Sequence, residues 1–183
     1  MFLTIMLLIF TMITAIAFLI LGGCLLAKNE KLDGLIKDFP RSKKLSILFM
    51  SCGCVWFLYR HVLNLGEADF GDYKSVITIV TLFILISSFI FTQDFLAVRG
   101  FSIALLLYSR EVLDAAFLQE PLSRLVLVSI TYFLIICALY FGAWPYRMRD
   151  LITYLYDKPK RLLVLAYFLL LNSISLFISG VFL

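Results

Sequence analysis

Two short groups of ionisable side chains stand inside otherwise apolar stretches of the chain: Arg60 and His61 beside Trp56, and Arg110, Glu111 and Asp114. A guanidinium recognises anionic groups through paired N–H donors, and an imidazole or carboxyl can exchange protons near neutral pH. Together these residue types suit a polar cavity in which Arg60 holds an anion and His61 or Glu111 takes up a proton. Arg110 and Asp114 are four apart and can pair along a helix, which leaves Glu111 to seek a partner such as Arg60 or His61. Trp56, four residues before Arg60, can stack on its guanidinium or serve in an aromatic belt.

Other chemistries find little to work with. Cys52 and Cys54 form C-x-C, but on a helix they project about 200° apart and cannot chelate one ion together. Cys24 and Cys137 are remote from them, and a single histidine excludes a bis-histidine haem. Neither zinc nor an iron–sulfur cluster has a ligand set. No Walker loop, GxGxxG turn, HExxH or GxSxG is present, so no catalytic set, metal or cofactor is expected.

The elements that must carry these residues follow from composition. Of 183 residues, 63% are hydrophobic and 15% charged, with a mean hydropathy of +1.03. Soluble domains are roughly 45–50% apolar and 25% charged, so a soluble protein is excluded. Long uncharged runs without strand-like alternation predict an all-α polytopic membrane protein. Residues 1–183 form a single membrane domain with six transmembrane helices, at about 2–27, 45–65, 76–97, 101–118, 125–143 and 162–183. The fourth is interrupted by Arg110, Glu111 and Asp114; it still reaches roughly 27 Å, enough to span. A re-entrant fourth segment, leaving five spans, is the alternative.

Charge separates the two. With six spans, the connectors 28–44, 98–100 and 144–161 share one side and hold twelve basic residues, against Lys74 and Arg124 on the other. The positive-inside rule then places both termini outside. Five spans would put 98–100 and 144–161 on opposite sides and spoil the partition. The basic residues therefore lie along a membrane surface, which argues against nucleic-acid binding.

The two long connectors are expected to be short amphipathic helices on the cytoplasmic surface. Leu32, Leu35, Ile36 and Phe39 in one, and Met148, Leu151, Ile152 and Leu155 in the other, repeat at helical spacing, each before a proline. The match, at an offset of 116 residues, hints at duplicated hairpins around a central pair. Leu21-Gly22-Gly23-Cys24 has the look of a lipobox, but no basic region precedes the first run and cleavage there would export segment 28–44. Close packing of a retained helix through Gly22-Gly23 is the expected role. Asp94 is expected to cap the tight turn after the third span or to pair with Arg99, while Glu67, Asp69, Asp72 and Glu120 with Pro121 form a solvated outer rim.

These features point to an integral multi-pass protein of a bacterial plasma (inner) membrane, acting as a non-catalytic accessory or scaffold subunit of a larger membrane complex. Its partners are the lipid bilayer and other membrane subunits or further copies, packed through Gly22-Gly23, Ser87-Ser88 and the serines at 173, 175 and 179. The structural counterpart of the ionic cluster is a buried network fixing helix register, or side chains reaching towards headgroups. One alternative function is a small-solute carrier or substrate-binding membrane component using Arg60, His61, Arg110, Glu111, Asp114 and Trp56. A second is an intramembrane enzyme acting on a lipid or quinone, with His61, Glu111 or Asp114 as acid or base.

Overall fold

The computed structural model describes residues 2–27, 29–66, 70–91, 94–117, 119–120 and 122–182; Lys28, Glu67, Asp69, Gln93 and Pro121 lie outside them. The described residues form eight α-helices and no strand: α1 (Phe2–Leu26), α2 (Glu30–Asp38), α3 (Lys43–Phe57), α4 (Lys74–Phe91), α5 (Leu96–Ala116), α6 (Arg124–Ala143), α7 (Tyr146–Asp157) and α8 (Pro159–Val181). Five are long and apolar enough to cross a membrane: α1, α3 with its extension to Val62, α4, α6 and α8. The remaining long helix, α5, has 21 residues but carries Arg99, Arg110, Glu111 and Asp114.

The break between the third and fourth expected spans falls earlier than the charge pattern suggests. The expected break lies at 98–100, but α4 ends at Phe91 and α5 starts at Leu96, so Arg99 and Gly100 belong to the opening turns of α5. Phe95 turns left-handed, with φ 57°, and its carbonyl accepts from the amides of Val98 (3.1 Å) and Arg99 (3.4 Å). The apolar residues Leu96 to Val98 continue the hydrophobic run across this corner and conceal it. Gly100 is required for packing instead: a Cβ there would lie 2.9 Å from the backbone nitrogen of Met50 on α3. Asp94 sits exposed in the corner.

Two compact units make up the chain. The first comprises residues 1–37, 108–137 and 149–183. Its axis is the antiparallel pair α1 and α8. Buried residues on α8 are Leu162, Ala166, Ser173, Leu176, Ser179 and Gly180, and the steps of four, seven, three and four that lead from Leu162 to Gly180 keep one stripe against a partner helix. On α1 the matching stripe is Leu7, Thr11, Thr14, Phe18 and Leu25. Small residues let the backbones approach: a Cβ on Gly22 would stand 2.9 Å from Leu170 Cγ and 3.2 Å from the Ala166 carbonyl. Ser173 Oγ donates across the pair to the Ala15 carbonyl at 2.8 Å, the interhelical hydrogen bond expected where lipid supplies no hydrophobic driving force between helices. Val112 and Ala116 of α5 and Leu127 of α6 complete this core beside Leu7, Ala15, Phe18 and Leu176.

At the other end of the α1–α8 pair, Leu25, Leu162 and Ala166 form a second core, covered by Ile36 of α2 and Leu155 and Tyr156 of α7. Both connectors are therefore helical, with Ile36, Ile152 and Leu155 turned inward and Leu35 and Leu151 exposed.

The second unit comprises residues 38–107 and 138–148. A 3-10 turn at Phe39–Arg41 with buried Pro40 leads into α3, whose N-cap Ser42 accepts from the Leu45 amide at 3.4 Å. Phe39, Phe49 and Phe101 stack edge to face around one another at 5.4–6.1 Å between centroids, and Arg41 lies 5.8 Å from the Phe95 ring. Gly53 meets Ile103 at the next turn of α3 and α5. By contrast α4 buries none of its residues, and stands off α3 across an apolar cleft of about 130 Å³ bordered by Met50, Cys54, Thr81 and Leu85.

Candidate functional site

The expected cluster divides between the units: Trp56, Arg60 and His61 belong to the second, Arg110, Glu111 and Asp114 to the first. Each is described in its own surroundings.

After Phe57, helix α3 widens into a π turn over Leu58–Val62, closed by the Leu63 amide donating to the Leu58 carbonyl at 3.0 Å. Single π turns interrupt α-helices at functional positions more often than elsewhere, because they re-aim side chains without ending the helix. Here the turn carries Tyr59, Arg60 and His61. Tyr59 and Arg60 are exposed, Trp56 and His61 half-buried. The imidazole lies against the Phe57 ring at 5.9 Å between centroids. The carbonyls at the end of the turn are satisfied: Asn64 Nδ2 donates to those of Arg60 (2.9 Å) and Tyr59 (3.2 Å), and Lys74 Nζ to that of Leu63 (3.2 Å). A cation and an amide at the negative end of a helix stabilise it in the usual way.

In α5, Arg110 Nε lies 3.8 Å from Asp114 Oδ2, the pairing along the helix that their spacing predicts, with the two side chains 60% and 71% exposed. Glu111 is half-buried. Because α5 begins at Leu96 and ends at Ala116, Arg110 lies within roughly 9 Å of the helix end and Asp114 within roughly 3 Å, at about 1.5 Å per residue. The charges therefore occupy the last two turns rather than the middle of the helix. An exposed pair at this separation adds little stability, and its position suits side chains that reach polar surroundings.

Sequence reasoning passed over a more enclosed polar group. Thr14 Oγ1 on α1 lies 2.7 Å from the Phe10 carbonyl and 2.8 Å from Tyr108 Oη on α5; Tyr108 Oη also donates to that carbonyl at 3.3 Å, and its ring packs edge to face on Phe10. These hydroxyls can hold helices in register but bring no ionisable partner to a reacting centre. Nothing in the local sequence marks them, since the pair is separated by 94 positions.

A second unforeseen group joins the surface connectors. Tyr156 Oη on α7 donates to Asp33 Oδ1 on α2 at 2.9 Å, and Lys37 Nζ sits 4.7 Å over the Tyr156 ring. Burial, then the hydrogen bond to Asp33 and the carboxylate's charge, push the phenol up to about 12. Beside it, Lys37, Arg149, Ile152 and Thr153 border a shallow cleft. Arg149 is itself paired with Asp150 at 2.7 Å.

All four cysteines are free thiols, and among the described residues no three His, Cys, Asp or Glu side chains converge on a point that a metal ion could occupy. Neither a family model, nor a curated protein, nor a solved structure matches the chain.

Proposed function

We propose that this protein is a non-catalytic accessory or scaffold subunit of a larger complex in a bacterial plasma membrane, crossing it six times with both termini outside. The observation that carries the reading is α4. The other helices apolar enough to span each bury part of their surface within the chain, whereas Lys74–Phe91 buries none. Its hydroxyls bond their own backbone, Thr78 to the Lys74 carbonyl and Thr81 to the Ile77 carbonyl, so it presents a satisfied, weakly partnered surface with small residues at Ser87 and Ser88. Small and hydroxylated residues are the contact points by which membrane helices associate. The exposed Arg110–Asp114 pair on α5 is a further group that a neighbouring subunit can cover.

Parity supports six crossings. The connectors α2 and α7 touch each other through Asp33 and Tyr156 and cover the same end of the α1–α8 pair, so an even number of spans separates them. Three of the four helices between them, α3, α4 and α6, are apolar enough to cross. The count is even when α5 crosses too, and the basic residues of segments 28–44 and 144–161, with Arg99 in the opening turn of α5, then share one side.

A photo-crosslinking amino acid at Phe83 or Ile86 on α4, in cells, tests the subunit reading. The expected product is one discrete adduct with another polypeptide, which also accompanies the chain in native mass spectra after gentle extraction. Adducts with lipid alone, from a chain that emerges without protein partners, overturn it.

A further inference from the structure

Where α7 ends and α8 begins, an apolar groove of about 450 Å³ is bordered by Leu155, Val164 and Phe168, with Tyr154, Lys160 and Arg161 at its head. Lys160 and Arg161 belong to the first turn of α8, and Val164 and Phe168 follow one and two turns further along, roughly 6 and 12 Å from Lys160 at about 1.5 Å per residue. Val164 and Phe168 are 69% and 52% exposed, so the chain itself leaves this wall open. At the head of the groove Arg161 Nη1 donates to the Tyr154 carbonyl at 3.0 Å and to Asp157 Oδ2 at 3.3 Å, and the guanidinium lies 3.7 Å over the Tyr154 ring. Both bonds use one nitrogen of a group that carries five N–H donors. Within residues 157–161, Lys158, Lys160 and Arg161 stand against the single carboxylate of Asp157.

Cations at a helix start with an open apolar channel running down the same helix reproduce the order of a phospholipid, phosphate above and hydrocarbon below. We propose that this groove binds one anionic phospholipid, its phosphate held by Lys160 and Arg161 and one acyl chain lying along Val164 and Phe168. The excess of positive charge selects an anionic over a zwitterionic headgroup. A preformed, aromatic-backed guanidinium gives a site rather than diffuse surface attraction, since the geometry of the fork is fixed before the lipid arrives. The proposal rests on α8 spanning the membrane and is independent of the subunit reading.

The full chain, reconstituted in vesicles of equal phosphatidylglycerol and phosphatidylcholine and re-extracted in mild detergent, is weighed by native mass spectrometry. One retained phosphatidylglycerol is expected, enriched over phosphatidylcholine by about fivefold or more, the preference that one membrane-facing cation confers. Val164→Trp fills the channel while leaving the charges, and removes the retained lipid. Lys160→Glu, at an exposed position, keeps the channel and abolishes the preference. Ile79→Trp on the exposed face of α4 serves as a control and retains both. Retention without headgroup preference in the unaltered chain, or a preference that survives Val164→Trp or Lys160→Glu, overturns the site.

Discussion

Among single residues, Tyr156 has the most sharply defined chemistry. Its hydroxyl is tied to Asp33, and ionising it would set a phenolate beside a carboxylate. Burial first, and then this contact with Asp33, push the phenol from an ordinary value near 10 up to about 12. Because the folded form holds its proton more tightly than the unfolded chain, the contact stabilises fully below about pH 10 and is lost as pH rises through about 12. With tyrosines labelled at Cζ, carbon NMR should show Tyr156 still protonated at pH 11, where an unperturbed phenol has ionised. Asp33→Asn should lower its titration towards the ordinary value. No shift on Asp33→Asn would mean that burial alone raises it. The ionisable residues that drew attention in the sequence behave differently. Arg110 and Asp114 pair as their spacing predicts, because an i, i+4 contact is written in local order. Tyr108–Thr14 and Tyr156–Asp33 span 94 and 123 positions, and no local pattern encodes them.

At the scale of elements, adjacent glycines on α1 separate packing from propensity. Gly22 faces α8, where a methyl group would press on Leu170 and the Ala166 carbonyl, while a methyl on Gly23 would meet nothing within 4 Å. Gly22→Ala should cost about 1–3 kcal/mol through overpacking. Gly23→Ala should instead stabilise by roughly 0.5–1 kcal/mol, the helix preference of alanine over glycine. Unfolding in mixed detergent–SDS micelles distinguishes them, and equal effects would mean that the α1–α8 contact does not run through Gly22. Hydrophobic runs made the long helices legible, α1, α6 and α8 falling within a few residues of their expected limits. The α4–α5 corner is hidden in the sequence because Phe95, a bulky apolar residue, adopts the left-handed conformation that glycine ordinarily marks. The shift of that corner moves Arg110 from the middle of the expected fourth span to six residues before the end of α5.

For the whole molecule, the arrangement of spans makes the sharpest claim. In a cysteine-free background, single cysteines at Asp72 and Ser123 should react with an impermeant maleimide on intact cells, and those at Asn29 and Lys158 only after the membrane is opened. Labelling of Asn29 and Lys158 from opposite sides would leave α5 out of the membrane and reduce the spans to five. Long apolar runs sufficed for the all-helical class, whereas function needs a ligand or a neighbour that local residue order does not specify. The pairing of α1 with α8 has a further bearing on how the protein is made. The ribosome completes α1 long before α8 appears, an interval on the order of ten seconds at ordinary rates of synthesis. In the folded chain Thr11 and Thr14 are bonded to carbonyls of their own helix, at 2.8 and 2.7 Å, bonds that need no second helix, so the first helix can rest in lipid with those hydroxyls satisfied. Ser173, whose hydroxyl reaches across to Ala15, belongs to the last helix and emerges when its acceptor is already in place.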